Sequence, residues 1–249
     1  MIEGFRFLPE YFPPAAQKAL VTEVLSLLEE GPLYRASMPR TGKPMSVRNA
    51  NFGPLGWVSD ITGYRYQPTH PETGKPWPAI PQALLDLWDD VSQYQAPPQA
   101  CLVNWYEAPS RLGLHIDADE SAKDAPVVSV SLGSRALFRL GGEQRSDPTS
   151  SMRLASGDVV VLGGRARRAY HGVDRIWPDS STLIPGGGRI NLTLRRVTAP
   201  LGGHSVASLD DTVWAGLPTA ARAAFPMPAA LVKLAVLPTA VAETMEHGA

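Results

Sequence analysis

The sequence predicts a mainly β protein of the α+β class, a barrel or jelly roll with helices packed against one side. Three observations carry this. Short segments of two-residue periodicity recur from Cys101 onward. Two amphipathic segments of helical period precede them. The 249 residues include 22 Gly and 24 Pro, too many breakers for a helical bundle and the number of turns a β-rich chain needs.

In chain order, Pro13 to Glu30 carries Ala16, Leu20, Val24, Leu27 and Leu28 on one helical face. Pro13-Pro14 stands at its start and Gly31-Pro32 at its end. Residues 31–80 are rich in Pro, Gly and aromatics. Their first part holds Arg35, Arg40, Lys43 and Arg48 and no acid. A second helix runs from Pro81 to about Tyr94 on the stripe Leu84, Leu87, Trp88 and Val91. Strands are expected at Cys101–Tyr106, Leu114–Asp117, Val127–Leu132, Arg135–Leu140, Gly157–Leu162 and Arg189–Val197. In the last, Ile190, Leu192 and Leu194 alternate with Asn191, Thr193 and Arg195, so one face is apolar and the other polar. Residues 198–249 are rich in Ala and Pro. They read as an appended tail, with short helices between Ala220 and Met245 broken by Pro226, Pro228 and Pro238.

Composition excludes several classes. With 44% apolar and 19% charged residues the chain is folded, not disordered. The single cysteine, Cys101, excludes an internal disulfide framework and a multi-cysteine zinc site. The N-terminus lacks the pattern of a secretory signal, and no apolar run is long enough to span a bilayer, so a cytoplasmic protein with no membrane partner is expected. The formal net charge of −1 excludes only a globally basic nucleic-acid binder. A local basic rim remains open, because residues 31–48 and 133–175 are basic while residues 201–249 are acidic.

The chemistry concentrates in three places. In Leu114-His115-Ile116-Asp117, strand periodicity puts His115 and Asp117 on one face. His171 follows in Tyr170-His171-Gly172. Two imidazoles and one carboxylate make a facial triad that leaves three positions open on an octahedral Fe(II). Alone this signal is weak, since His-x-Asp pairs occur on solvated strands and isolated histidines are often structural. The third place adds weight. Arg189, Asn191, Thr193 and Arg195 share one strand face. Guanidiniums lining a barrel interior are costly unless they meet anions, and Arg grips carboxylates at two points. An interior metal beside interior arginines calls for a small dicarboxylate such as 2-oxoglutarate.

The sequence resembles the AlkB family of Fe(II)/2-oxoglutarate-dependent nucleic-acid demethylases over about residues 4–197. The resemblance is carried by Leu55-Gly56-Trp57, Gly63-Tyr64-Arg65-Tyr66, Lys75-Pro76-Trp77-Pro78, Asn104-Trp105-Tyr106, the stretch Leu114 to Glu120, Gly157-Asp158-Val159-Val160-Val161, Tyr170-His171-Gly172 and Arg189 to Arg195, in the family's order. It implies a double-stranded β-helix (jelly-roll) core over residues 1–197, N-terminal supporting helices, and a nucleotide-recognition lid over about 31–80. His115, Asp117 and His171 match the iron ligands. Arg189 matches the partner of the distal carboxylate of 2-oxoglutarate, with Tyr106 and Asn191 nearby; Arg195 and Asn104 match residues at the iron end. Trp57 and Tyr64 match lid aromatics, Trp57 stacking on the flipped base opposite the His115 ring. Asp119 matches a carboxylate near the exocyclic amine, and Arg145 a basic residue beside the pocket.

The implied reaction uses Fe(II), O2 and 2-oxoglutarate. It strips N-methyl groups from 1-methyladenine or 3-methylcytosine in DNA, preferably single-stranded, and releases formaldehyde, succinate and CO2. Double-stranded DNA and RNA are further candidate partners, and a monomer is expected. An extruded base needs aromatic walls to replace its stacking, and a cationic base flips at lower cost because it pairs poorly. Arg165, Arg167 and Arg168, with the bases between Arg35 and Arg48, are candidate phosphate contacts. Simpler readings stand beside these. Trp57 and Tyr64 fit a packed minor core, residues 165–168 a solvated charge run, and Asp119-Glu120 an acidic turn. The competing functions are the same chemistry on RNA, a damage-binding module without turnover, and an oxygenase of proteins or small molecules. Trp105, Ile116 and Leu162 depart from the family's founding member, which has Arg, Gln and Trp there. His204 and His247 are not expected to be ligands.

Overall fold

The computed structural model describes residues 2–200. Strand β1 (Phe5–Leu8) precedes helix α1 (Pro14–Glu30). Strands β2 (Arg48–Phe52), β3 (Gly56–Asp60) and β4 (Gly63–Gln67) lead to helix α2 (Gln82–Val91). Then come β5 (Ala100–Tyr106), β6 (Leu112–His115), β7 (Val127–Gly133), β8 (Arg135–Leu140), β9 (Ser150–Leu154), β10 (Val159–Leu162), β11 (His171–Trp177) and β12 (Arg189–Arg195). The strands form a six-stranded sheet in the order β1-β10-β7-β12-β5-β2, a four-stranded sheet in the order β6-β11-β8-β9, and the β3–β4 hairpin. Every described pairing is antiparallel.

Period two decides what each face of the large sheet meets. Ile190, Leu192 and Leu194 of β12, Cys101 and Val103 of β5, and Val128 and Val130 of β7 join a core completed by Leu20, Val21 and Val24 of α1 and by Leu84, Leu87, Trp88 and Val91 of α2. Each such Leu or Val taken fully out of water contributes roughly 1.5–3 kcal/mol. The opposite face, with Tyr106, Val127, Val160 and Leu162, packs against Phe138, Leu140, Leu154 and Val173 of the small sheet. The described residues thus form two facing sheets with both helices on the outer side of the larger one, the jelly-roll arrangement expected.

The α2 stripe is buried as expected, whereas α1 adds Val21 to its buried face and leaves Ala16, Leu27 and Leu28 half-buried. Gly31 caps α1 by donating its backbone N–H to the Leu27 carbonyl at 2.9 Å. Strands β1, β2, β9 and β11 and the hairpin were hidden from a periodicity reading. Strand β2 buries polar Asn49 and Asn51, and β11 breaks its alternation where its register shifts between Val173 and Arg175. One expected strand is corrected. It spans Leu112–His115 rather than Leu114–Asp117, because pairing with β11 ends at the His115–His171 pair. The strand expected from Gly157 starts at Val159, and the last one ends at Arg195.

Gly172 lets β6 and β11 approach. A Cβ there would stand 2.6 Å from the Leu112 carbonyl oxygen. Gly133, at φ +84°, makes the β7–β8 turn in a conformation L side chains rarely adopt. No helix among the described residues is long and apolar enough to cross a membrane. The short helices expected between Ala220 and Met245, with His204 and His247, lie outside the described residues.

Candidate active site

His115 ends β6 and His171 opens β11, so their pairing sets the two imidazoles side by side, tilted by 51° with ring centroids 4.5 Å apart. Asp117 lies two residues beyond the end of β6. The expected reason for its placement, a shared strand face, therefore does not hold. The chain leaves the strand, and Arg195 fixes the carboxylate instead, donating from Nη2 to Oδ1 at 2.8 Å. Ligand atoms of His115, Asp117 and His171 all lie within 4.8 Å of one another.

Several details suit a metal. Each histidine Nε2 is 3.7 Å from an Asp117 oxygen, too far for a hydrogen bond. Each Nδ1 instead sits by a backbone carbonyl, that of Gly113 at 2.9 Å for His115 and that of Ala169 at 3.0 Å for His171. A proton on Nδ1 donates there and leaves the Nε2 lone pairs facing Asp117. Asp117 Oδ2 is buried with no hydrogen-bond partner among the described residues. Burial opposes ionisation of Asp117, but the Arg195 guanidinium, the two histidines and Arg167 outweigh it and hold the carboxyl below the usual range. Burial, with His115 alongside, pushes His171 down to about 4, so its imidazole is neutral at pH 7. A neutral His171 imidazole, the His115 Nε2 beside it and one ionised, under-satisfied carboxylate make the two-nitrogen, one-oxygen donor set that Fe(II) takes in facial geometry.

Next to this cluster lies a cationic pocket. Arg189 is 1% exposed. Its Nη2 donates to Ser131 Oγ at 2.9 Å and its guanidinium lies 5.0 Å from the centre of the Tyr106 ring. Its Nε and Nη1 are buried without partners, which leaves two donors for an anion. Asn191 commits its amide to Ser129 Oγ at 2.7 Å and the Val130 carbonyl at 2.9 Å, and its oxygen accepts from Thr193. Asn104 accepts from Asn49 Nδ2 at 2.9 Å.

Trp57 and Tyr64 come from facing strands of the β3–β4 hairpin, not from an irregular loop. Their rings stack at 5.7 Å and 21°. Asn51 holds the Trp57 backbone through two 3.0 Å hydrogen bonds. Trp57 also packs on a minor core of Tyr34, Ala36, Val58 and Trp77, so the simpler reading of this residue is also met. Its indole Nε1 donates to Asp119 Oδ2 at 2.9 Å, and Tyr64 is 51% exposed. Arg145 donates to the Leu114 carbonyl at 2.9 Å and covers the Tyr170 ring at 5.9 Å. One cavity of about 660 Å³ is lined by all of these groups: the three ligand candidates, Asn104, Tyr106, Arg189, Asn191 and Arg195, and Trp57, Tyr64, Asp119 and Arg145.

Sequence reasoning missed the roles of two site neighbours, Glu120 and Arg167. Glu120 is 2% exposed rather than part of an acidic surface turn. It accepts from the Tyr66 hydroxyl at 2.5 Å and from Arg167 Nη2 at 2.7 Å, with Arg195 Nε at 3.4 Å. Arg167, expected as a phosphate contact, is corrected to a buried partner of Glu120, and it also reaches the carbonyls of Ala125 and Asp117. Local pattern gave no signal, since a buried Arg and an exposed one look alike in a basic turn. Arg165 and Arg168 are exposed and both pair with Glu143, and Arg48 pairs with Glu107. Trp105 packs beside the helix-side core, under Arg48, whereas Ile116 and Leu162 line the cavity. His70 is structural, with both ring nitrogens bonded to the backbone of Pro32, Glu72 and Thr73.

Residues 4–195 match the family described as the 2OG-Fe(II) oxygenase superfamily. The chain is 55% identical over 198 residues to the alpha-ketoglutarate-dependent dioxygenase AlkB homolog of Caulobacter vibrioides, covering 79% of this chain and 89% of that protein. It is 41% identical over 185 residues to the alpha-ketoglutarate-dependent dioxygenase AlkB of Escherichia coli, covering 73% and 85%. Among solved structures, that of OsALKBH1 superposes with a TM-score of 0.66 at 29% identity, over 79% of this chain and 99% of that one.

Proposed function

The chain belongs to the 2OG-Fe(II) oxygenase superfamily and, within it, to the AlkB family, and from that premise we propose that it removes N-methyl groups from 1-methyladenine and 3-methylcytosine in single-stranded DNA. It is an Fe(II)- and 2-oxoglutarate-dependent dioxygenase that uses O2. The observation that carries the substrate assignment is the stacked Trp57–Tyr64 pair, hydrogen-bonded to Asp119 and opening on the same cavity as His115, Asp117 and His171. A planar base is the ligand that aromatic walls with a carboxylate at their edge accept best.

In this reading His115, Asp117 and His171 hold the iron. When bound, the iron supplies the oxidising chemistry that couples decarboxylation of 2-oxoglutarate to hydroxylation of the N-methyl group, whose hemiaminal then releases formaldehyde. The chain's own groups position and shield. Arg189 takes the distal carboxylate of 2-oxoglutarate with its two open donors, over Tyr106 and beside Asn191. Arg195 keeps Asp117 ionised and oriented, and Asn104 lines the iron end. Trp57 covers one face of the base opposite the His115 ring, and Tyr64 shields the pocket mouth. Asp119, steadied by the indole through Oδ2, offers Oδ1 to the exocyclic amine and offsets the cationic charge of the lesion. Arg145 provides positive charge for a flanking phosphate.

Residues 1–197 form the proposed catalytic domain, with 31–80 as its lid and 198–249 as an appended tail. A monomer working in the cytoplasm is the proposed setting. The test is an anaerobically iron-loaded protein offered 1-methyladenine and 3-methylcytosine oligonucleotides, as DNA and as RNA, with formaldehyde and succinate both measured. Stoichiometric formation of the two products on the DNA strand is expected. Turnover on RNA alone would move the assignment to RNA, and no methyl-dependent turnover on either would overturn it.

A further inference from the structure

We propose that the outer face of the four-stranded sheet, the one turned away from the cavity, is a second contact for the phosphodiester backbone of the substrate strand. The proposal rests on the reading of the substrate as a nucleic acid.

Register defines the face. Phe138, Leu140, Leu154 and Val173 point into the inter-sheet core. The alternate residues therefore point outward. Arg135 of β8 lies opposite Trp177 of β11, and Leu137 lies opposite both Arg175 of β11 and Arg153 of β9. Arg139 completes the row. Four arginines thus share one sheet surface. Arg139 is committed to Thr149 and Asp174. Arg135, Arg153 and Arg175 are exposed, and their guanidiniums have no carboxylate partner among the described residues.

Trp177 lies between two of these cations. The Arg175 guanidinium is 5.0 Å and that of Arg153 5.7 Å from its ring centre. Stacked over the ring, the two guanidiniums are held in place with their charge uncompensated by any carboxylate among the described residues, and phosphate oxygens are the groups such fixed cations meet on a strand. The face is also continuous with the cavity mouth. Arg111 lines the active cavity and also an adjoining surface depression whose far wall is Asp174, Arg175 and Ile176. A strand leaving the pocket past Arg111 meets Arg175 next and then crosses β8 toward Arg153. Three inter-strand steps from β6 to β9 span about 14 Å. Only a strand that extends beyond the flipped nucleotide reaches it.

The test compares the protein with its Arg153→Glu/Arg175→Glu variant. Fluorescence anisotropy with an unmodified single strand of about 15 nucleotides, a length that OB-type grooves engage, reads the face without relying on turnover. The variant is expected to bind roughly tenfold more weakly, with the slope of log affinity against log salt reduced by about 1 to 2. A methylated trinucleotide, too short to reach the face, should be demethylated with unchanged kcat and KM, which also shows that the variant is folded. If charge reversal disturbs folding, Arg153→Gln/Arg175→Gln replaces it, with the same sign and a smaller effect. Equal affinity and equal salt slope in protein and variant would overturn the proposal, including the case in which the face binds an acidic protein instead. Failure of the trinucleotide to turn over in the unmodified protein would sink the demethylase reading, while the anisotropy comparison would still decide whether the face binds the strand.

Discussion

The hydroxyl of Tyr66 donates to Glu120 Oε1 at 2.5 Å, and this single bond ties the β3–β4 hairpin to the buried charges behind the candidate metal ligands. Tyr66 faces Trp57 across the hairpin, so the strand pair that carries the stacking indole is anchored to the site's floor. Glu120 in turn meets Arg167 and approaches Arg195, which holds Asp117. The β3–β4 hairpin and the Asp117 carboxylate share one polar network.

Tyr66→Phe removes that anchor without opening a cavity. Its cost in stability should be about 1 kcal/mol, the ordinary net worth of a hydrogen bond. The KM for a methylated oligonucleotide should rise several-fold while that for 2-oxoglutarate stays put. Equal effects on both would show that the bond serves the whole fold and not the lid.

Glu120→Ala should be far more damaging. Arg167 and Glu120 side chains are 5% and 2% exposed, and removing the carboxylate leaves a buried guanidinium without its counter-charge. Breaking such a pair costs roughly 3–5 kcal/mol. Replacing both partners with apolar residues, Glu120→Leu with Arg167→Met, should recover much of that loss. Urea unfolding of the three proteins measures it.

Asp117→Ala should abolish Fe(II) binding, followed anaerobically by equilibrium dialysis, because it deletes the one anionic ligand of the set. Binding of Fe(II) at unchanged affinity would remove Asp117 from the site.

Arg189→Lys keeps the charge but offers a point donor where two fork donors stand open. The KM for 2-oxoglutarate should rise about 10- to 100-fold, the equivalent of roughly 1.5–3 kcal/mol for a charged hydrogen bond. Affinity for the oligonucleotide should be unaffected.

His171 is held down to about 4 by burial, below its ordinary value near 6.5. Between those values the unfolded chain binds a proton that the metal-free folded protein refuses, so stability falls as pH drops through that window. The loss should reach about 3 kcal/mol at pH 4 from this group. His171→Gln cannot take up the proton and should flatten the pH profile between 4 and 6.5. Asp117 acts in a different window, because its lowered carboxyl matters only under the ordinary carboxylate range.

Much of the site was legible because its residues obey period two on β12. Arg189, Asn191, Thr193 and Arg195 can share a face only as a strand, and the alternating Ile190, Leu192 and Leu194 say which face is the core. His115 and Asp117 were paired through a local geometry that the fold does not use, since β6 ends between them, yet the structure still brings them together with His171.

The sequence by itself determined the class of fold, the helix-covered sheet, and the residue types that a metal and a dicarboxylate require. Those follow from local periodicity and from the cost of burying charge. Only the tertiary structure decided which charges are buried and paired. Arg165, Arg167 and Arg168 are neighbours in one basic turn, yet Arg167 turns inward to Glu120 while the others meet solvent and Glu143. Likewise Arg135, Arg153 and Arg175 are scattered along the chain and become one surface only when β8, β9 and β11 pair. Burial and partnership depend on contacts between segments far apart in the chain, and no pattern within a single segment encodes them.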